Sequence, residues 1–210
     1  MTSMAIKGDT RERMITAALE LFHLQGVNAT SIDQILERSK TGKSQYSHYF
    51  KTKDGLVRAV IQSLNTLIRS GQAPTGYKIE SWKDMQSWFN KYIDFQKSAD
   101  FELSCPIGTI GNDISDEQEV IRQDIRIFLE WCGGQLARFF AERKAAGDLL
   151  KSADPDAMAD FCLAIMQGGM LLTKIKRDST TFENAAGEAL KYINSLRRQI
   201  PGSPLRLSKL

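Results

Sequence analysis

Residues 30–53, TSIDQILERSKTGKSQYSHYFKTK, constrain this chain more than any other stretch, because they read as two short helices split by a tight turn. Thr30 can cap the first, with Asp33 three residues on, and Ile32, Ile35 and Leu36 line one apolar stripe. Gly42 supplies a position where the backbone can turn sharply. From Lys43 to Phe50 the spacing predicts a two-turn helix anchored by Tyr46, Tyr49 and Phe50. That leaves Lys43, Ser44, Gln45, Ser47 and His48 for its other faces. An amphipathic helix, a turn and a basic second helix have the physical form of a DNA-reading helix-turn-helix. Two short helices inside an ordinary helical bundle are the competing reading of the same spacing.

The flanks extend this unit. A helix is expected from Thr10 to Gln25, with Asp9 and Glu12 at capping-box spacing, Ile15, Ala18, Leu19 and Phe22 as its stripe, and Gly26 ending it. Thr52 can cap the following helix, KDGLVRAVIQSLNTLIRS. Residues 1–70 thus form a three-helix head with a connecting helix. The breaker cluster GQAPTG at 71–76 marks the boundary to a second domain, 77–200. There Ser81 and Asp84 open an amphipathic helix, Cys105-Pro106 a short one, and Ser115 with Gln118 a long one to about residue 146. Asp154-Pro155 opens a helix to about Arg177, and a last helix runs from about Thr181 to Gln199. The stretch FCLAIMQGGMLL at 161–172 is apolar almost all round, so its helix must be buried on more than one side. Residues 201–210 read as a disordered tail. Convincing period-2 alternation is absent, and the expected fold is all-α.

With 210 residues, the chain can bury roughly 70% of its unfolded surface and needs no staple to fold. Cys105, Cys132 and Cys162 lie far apart without a CxxC pair, and His23 and His48 are the only histidines. Neither a disulfide framework nor a metal centre is expected. No run approaches ~18 consecutive apolar residues, so no membrane span is expected. MTSMAIKGDTRER lacks the apolar core of a signal peptide, which makes a reducing cytoplasm the expected setting. Residues 1–70 hold ten Lys/Arg against six Asp/Glu, a net +4, whereas the remainder holds 18 against 19. The excess positive charge therefore lies where a polyanion would be met. No nucleophile–base pair, carboxylate cluster or phosphate loop supports catalysis, so neither an enzyme nor a cofactor is expected.

Residues 30–56, with T-S-I-D-x-I, a turn, then G-K-S-Q-x-x-H-Y-F-x-x-K-x-x-L, resemble the TetR family of bacterial transcriptional regulators, as does AALELFHLQGVNATS before them. CPIG at 105–108, GDL at 147–149, DPDAMAD and MQGGMLL resemble one subgroup carrying the TGKSQ recognition helix. The resemblance implies that Lys43, Ser44 and Gln45 reach base edges, Gln45 suiting adenine and Lys43 guanine. It implies phosphate contacts for Thr30 or Ser31, His48, Lys51 and Lys53. Tyr46 and Phe50 would pack the head; Tyr49 could pack or touch DNA. Three residues depart from the family pattern: Lys40 stands where the turn usually has glycine, Thr41 where a small apolar residue is usual, and Ser47 replaces a common phosphate-binding tyrosine. Lys40 could replace the contact that Ser47 shortens.

For residues 77–210 the resemblance implies sensing and dimerisation, the last two long helices of each subunit forming a four-helix bundle across a twofold axis. Filling a monomer core is the alternative for residues 158–172. An effector pocket would lie among Trp82, Trp88, Phe89, Tyr92, Phe128 and Trp131, with Cys105 nearby, although such aromatics also make ordinary core. The implied function is a repressor of the bacterial cytoplasm, on the nucleoid when bound. It would bind a palindromic operator on double-stranded DNA as a homodimer and be released by a small-molecule effector. Two alternatives stand beside it: a redox or electrophile sensor using Cys105 at a helix start, and a helical small-molecule-binding protein or enzyme without DNA binding.

Overall fold

The protein is described by a computed structural model covering residues 9–198, so the tail expected at 201–210 lies outside the described residues. The described chain is helical: α1 (Thr10–Gln25), α2 (Ile32–Ser39), α3 (Lys43–Tyr49), α4 (Lys53–Arg69), α5 (Trp82–Ser98), α6 (Pro106–Asp113), α7 (Glu119–Ala145), α8 (Pro155–Lys176) and α9 (Thr180–Ser195). Among the described residues the only extended pairing is an isolated bridge between Leu149 and Arg197.

Most helices begin at the caps written in the sequence. Asp9 accepts from the Glu12 amide, Thr52 from the Gly55 amide, and Asp154 from the amides of Asp156 and Ala157. Ser81 and Asp84 close a reciprocal capping box. The Ser81 hydroxyl, then the Glu80 amide, hold the Asp84 carboxyl below its ordinary value. Pro106 takes the first position of α6, where its missing N–H costs nothing.

By internal contact the chain divides into two compact units. One comprises the described residues up to Ala73 together with Glu102–Leu129; the other comprises Pro74–Phe101 and the described residues from Glu130 onward. The break near 71–76 separates α4 from α5, but a second domain running unbroken over 77–200 does not describe this grouping. Residues 102–129 pack with the head.

The reason in the first unit is a set of polar ties. His23 Nε2 meets the Ser104 carbonyl. Asp113 accepts from the Asn28 amide at 3.1 Å, and its carbonyl accepts from Asn28 Nδ2 at 3.0 Å. Gly26 permits that approach: it sits at φ +88°, and a Cβ there would lie 2.5 Å from Asp113 Oδ2. Arg58 pairs with Asp124 at 2.7 Å, and Gln118 donates to Asp54. Beneath these ties Met14, Ile15, Phe22, Ile35, Leu56 and Val60 form the apolar core.

In the second unit α8 and α9 form an antiparallel hairpin, joined through Arg177 in the left-handed region. Their pairing is symmetric about the turn, with Gly169 against Phe182 and Phe161 against Tyr192. A Cβ on Gly169 would lie 2.2 Å from the Phe182 ring, so this close packing demands glycine. Gly168 meets nothing within 4 Å. Helix α5 packs on both, with Gln96 Nε2 donating to the Met170 carbonyl and Lys97 pairing with Glu183 at 2.7 Å. By length and composition α8 suffices to cross a bilayer, which the count of consecutive apolar residues does not register. Its inner face, Met158, Cys162, Met166, Met170 and Thr173, is buried instead.

Candidate nucleic-acid interface

Helix α2 is capped one residue later than its sequence suggests. Ser31 accepts from the Gln34 amide and Gln34 Oε1 accepts from the Ser31 amide, so the box is Ser31–Gln34 rather than Thr30–Asp33. Thr30 is 1% exposed, and its hydroxyl donates to the Gly26 carbonyl while accepting from Gln25 Nε2. That side chain is spent inside the head, which leaves Ser31 as the exposed member of the pair expected to meet phosphate.

The turn's positive φ falls on Lys40, at φ 53° and ψ 51°, not on Gly42, which is extended at φ −113° and caps α3. The geometry explains how Lys40 and Thr41 are tolerated. The Lys40 and Thr41 amides donate back to Glu37 and Leu36, closing the end of α2. Ser39 Oγ lies 2.7 Å from the Ile35 carbonyl and 2.6 Å from Thr41 Oγ1, so the threonine hydroxyl is paired where an apolar residue is usual.

Helix α3 is held from beneath by Tyr46 and Phe50, both buried. Burial, and after it the charge of Asp54, push the Tyr46 phenol above its ordinary value. Tyr49, for which the sequence leaves packing and DNA contact both open, lies outside the core: it is 42% exposed, edge-on to His48 at 5.0 Å. Lys43, Ser44, Gln45, Ser47, His48 and Tyr49 therefore share the outer surface of α3, next to Ser31, Lys40 and Lys51, with Lys53 half-buried at the start of α4. Gly55 fixes that start, because a Cβ there would lie 2.2 Å from the Phe50 carbonyl.

Two of the side chains expected to read bases are already engaged. Gln45 Oε1 accepts from the Gly42 amide at 3.0 Å, so a bidentate contact to adenine requires this cap to open; in place, only its Nε2 is offered. Lys43 Nζ lies 3.1 Å from Asp33 Oδ1. Neither partnership is visible in the spacing of α3 alone, since each is made across the turn or at the helix start.

The expected effector set divides between the units. Cys105 and Phe128 belong to the first; Trp82, Trp88, Phe89, Tyr92 and Trp131 belong to the second. There the rings pack on one another: Trp88 against Phe89 and Tyr92, Trp82 against Phe139. Tyr77, which carries no helical periodicity to single it out, contacts Trp88, Tyr92 and Trp131. Sequence reasoning also missed Thr173, fully buried on α8 with a hydroxyl that makes no hydrogen bond. The cysteine-based alternative finds no support. Cys105 starts α6 without a side-chain cap, Cys132 and Cys162 are buried, and burial pushes the Cys162 thiol up to about 12. No group of side chains among the described residues could hold a metal ion.

A three-helix head presenting an exposed, polar helix after a tight turn defines a helix-turn-helix DNA-binding regulator. Residues 14–60 match the bacterial regulatory proteins of the tetR family, and residues 83–188, half the chain, match the tetracyclin repressor-like C-terminal domain. The protein belongs to the TetR family of bacterial transcriptional regulators, which are not enzymes. Among its relatives is an HTH-type transcriptional regulator in the lacX 3' region of Lactococcus lactis subsp. lactis. The two are 29% identical over 84% of this chain and 89% of that protein. The HTH-type transcriptional repressor DhaR of Mycobacterium sp. (strain GP1) is 22% identical over 80% of this chain and 84% of its own. A TetR-family regulator from Cytophaga hutchinsonii shares the fold at a TM-score of 0.77 and 14% identity, covering 91% of this chain and 96% of its own.

Proposed function

We propose that the protein is a repressor that binds a palindromic operator as a homodimer and releases it when a small molecule occupies the C-terminal domain. The outer surface of α3 carries the reading: Lys43, Ser44, Gln45, Ser47 and His48 stand exposed on a helix anchored by buried Tyr46 and Phe50. Repression is supported by the relative DhaR, named a repressor. The bacterial cytoplasm follows as the place of action, since that is where the operator lies.

Dimerisation is supported by the outer face of the α8–α9 hairpin. Phe161, Leu171, Leu172, Ile175 and Tyr192 are exposed there, with Ala164 and Gly168 between them. A contiguous apolar face rimmed by polar residues marks an interface, and small residues at its centre let a partner helix approach. An effector is supported by two features of the second unit, its aromatic interior and the buried, unbonded Thr173 hydroxyl, which would meet the single polar group of a small, largely apolar molecule. The TGKSQ and CPIG segments support a reading of the chain as one of the subgroup that carries both.

Duplexes selected from a random library by the protein provide the test. Binding should weaken steeply with salt, as counterion release demands. Lys53→Ala should weaken selected and scrambled duplexes alike and reduce the salt slope by about 0.9, one phosphate contact. Lys43→Ala should relax sequence preference instead. Salt-insensitive binding, or variants indistinguishable from the parent, would refute the assignment.

A further inference from the structure

We propose that Asp33 is a specificity-determining residue: by holding the Lys43 ammonium across the turn between α2 and α3, it withholds that charge from phosphates and keeps it for a base edge. The inference rests on the reading of α3 as the base-contacting helix.

The geometry is particular. Asp33 is the second residue of α2 and Lys43 the first of α3, so the pair joins two helix N-termini. At such ends unpaired backbone amides and the helix dipole favour an anion. In a DNA-binding head that anion is ordinarily a phosphate, yet here the chain places its own carboxylate. Asp33 Oδ1 lies 3.1 Å from Lys43 Nζ, with both side chains about three-quarters exposed, at 74% and 78%. An exposed pair of this kind adds little to folding stability, so it is not explained as a brace for the head. Among the described residues Lys40, Lys51 and Lys53 make no ion pair, so Lys43 alone of these four lysines is held by a carboxylate.

The consequence follows from lysine chemistry. A lone ammonium on a flexible stem moves to whichever phosphate is nearest and strengthens binding to every sequence equally. Tethered to Asp33 it loses that freedom, and the carboxylate repels the phosphates that would compete for it. What remains attractive is a fixed acceptor pair in the major groove, such as O6 and N7 of guanine. Asp33 thus lowers affinity for DNA at large while sharpening discrimination.

Binding of the full-length protein to a selected duplex and to a scrambled duplex of equal composition, each across a salt series, tests this. Asp33→Asn should tighten binding to the scrambled duplex several-fold and steepen its salt slope by about 0.9. It should also lower the selected-to-scrambled ratio by about fivefold or more, the lower end of what one base contact discriminates. In a Lys43→Met background Asp33→Asn should leave the selected-to-scrambled ratio unchanged. Glu37→Gln, which removes another exposed acid of α2, should leave the ratio intact. An unchanged ratio in Asp33→Asn, a ratio that still falls without Lys43, or the same fall in Glu37→Gln would each overturn the inference. A wild-type chain that selects no duplex would instead overturn the DNA-reading assignment and the inference with it.

Discussion

Lys40, like Lys51 at φ 63°, bears a backbone cost in the head, because a side chain at φ 53° crowds its own carbonyl. That conformation costs roughly 1–2 kcal/mol outside glycine, while glycine loses about 0.5–1 kcal/mol more entropy on folding. Lys40→Gly should therefore stabilise the protein by roughly 0.5–1 kcal/mol and raise its Tm by about 2 °C; a thermal melt that falls instead would show that Lys40 is not strained. A lysine at this position fits the proposed charge facing DNA. At this scale the sequence was legible as to which residue departs from pattern. It was not legible as to which hydroxyl does which task, since Thr30 and Ser31 are adjacent and chemically alike. Only the path of the chain after Gly26 decides that Thr30 turns inward to the Gly26 carbonyl and Ser31 caps α2. Tyr49 was ambiguous for the same reason: a tyrosine has an apolar body and a polar tip, and here it stays 42% exposed.

The helices themselves were readable because their ends are chemically marked. Asp9, Thr52, Ser81 and Asp154 each hold the amides that the sequence assigns them. The paired glycines of α8 were visible but not separable in sequence, and the packing gives them different tasks. Gly169→Ala must displace the Phe182 ring and should cost about 1–3 kcal/mol. Gly168→Ala meets no neighbour within the chain, and its effect should appear in self-association rather than in the protomer's packing. Denaturant unfolding compared with sedimentation distinguishes them, and equal destabilisation of the protomer by both would contradict the assignment. Between α5 and α9, Lys97 first and Ser179 second hold the Glu183 carboxyl below its ordinary value. Whatever this pair contributes is present above the ordinary carboxylate range and is lost as pH falls through the lowered value.

For the molecule as a whole, the apolar outer face of α8 and α9 decides the expected assembly. Ile175, 69% exposed, can accept a charge without disturbing the protomer. Ile175→Glu should shift the protein towards monomer in sedimentation and weaken operator binding, because two heads must span half-sites ~34 Å apart; a dimer that survives the change unaltered would place the interface elsewhere. By itself the sequence determined the helical fold and most helix starts, and it marked the stretch expected to read DNA, because periodicity, caps and turns are local, acting over three or four residues. Tertiary structure alone decided that residues 102–129 belong with the head, through contacts such as Asn28 with Asp113 that join positions 85 apart. It alone decided, too, that Lys43 is shared with Asp33. Such pairings depend on where helices meet in space, which no local pattern encodes.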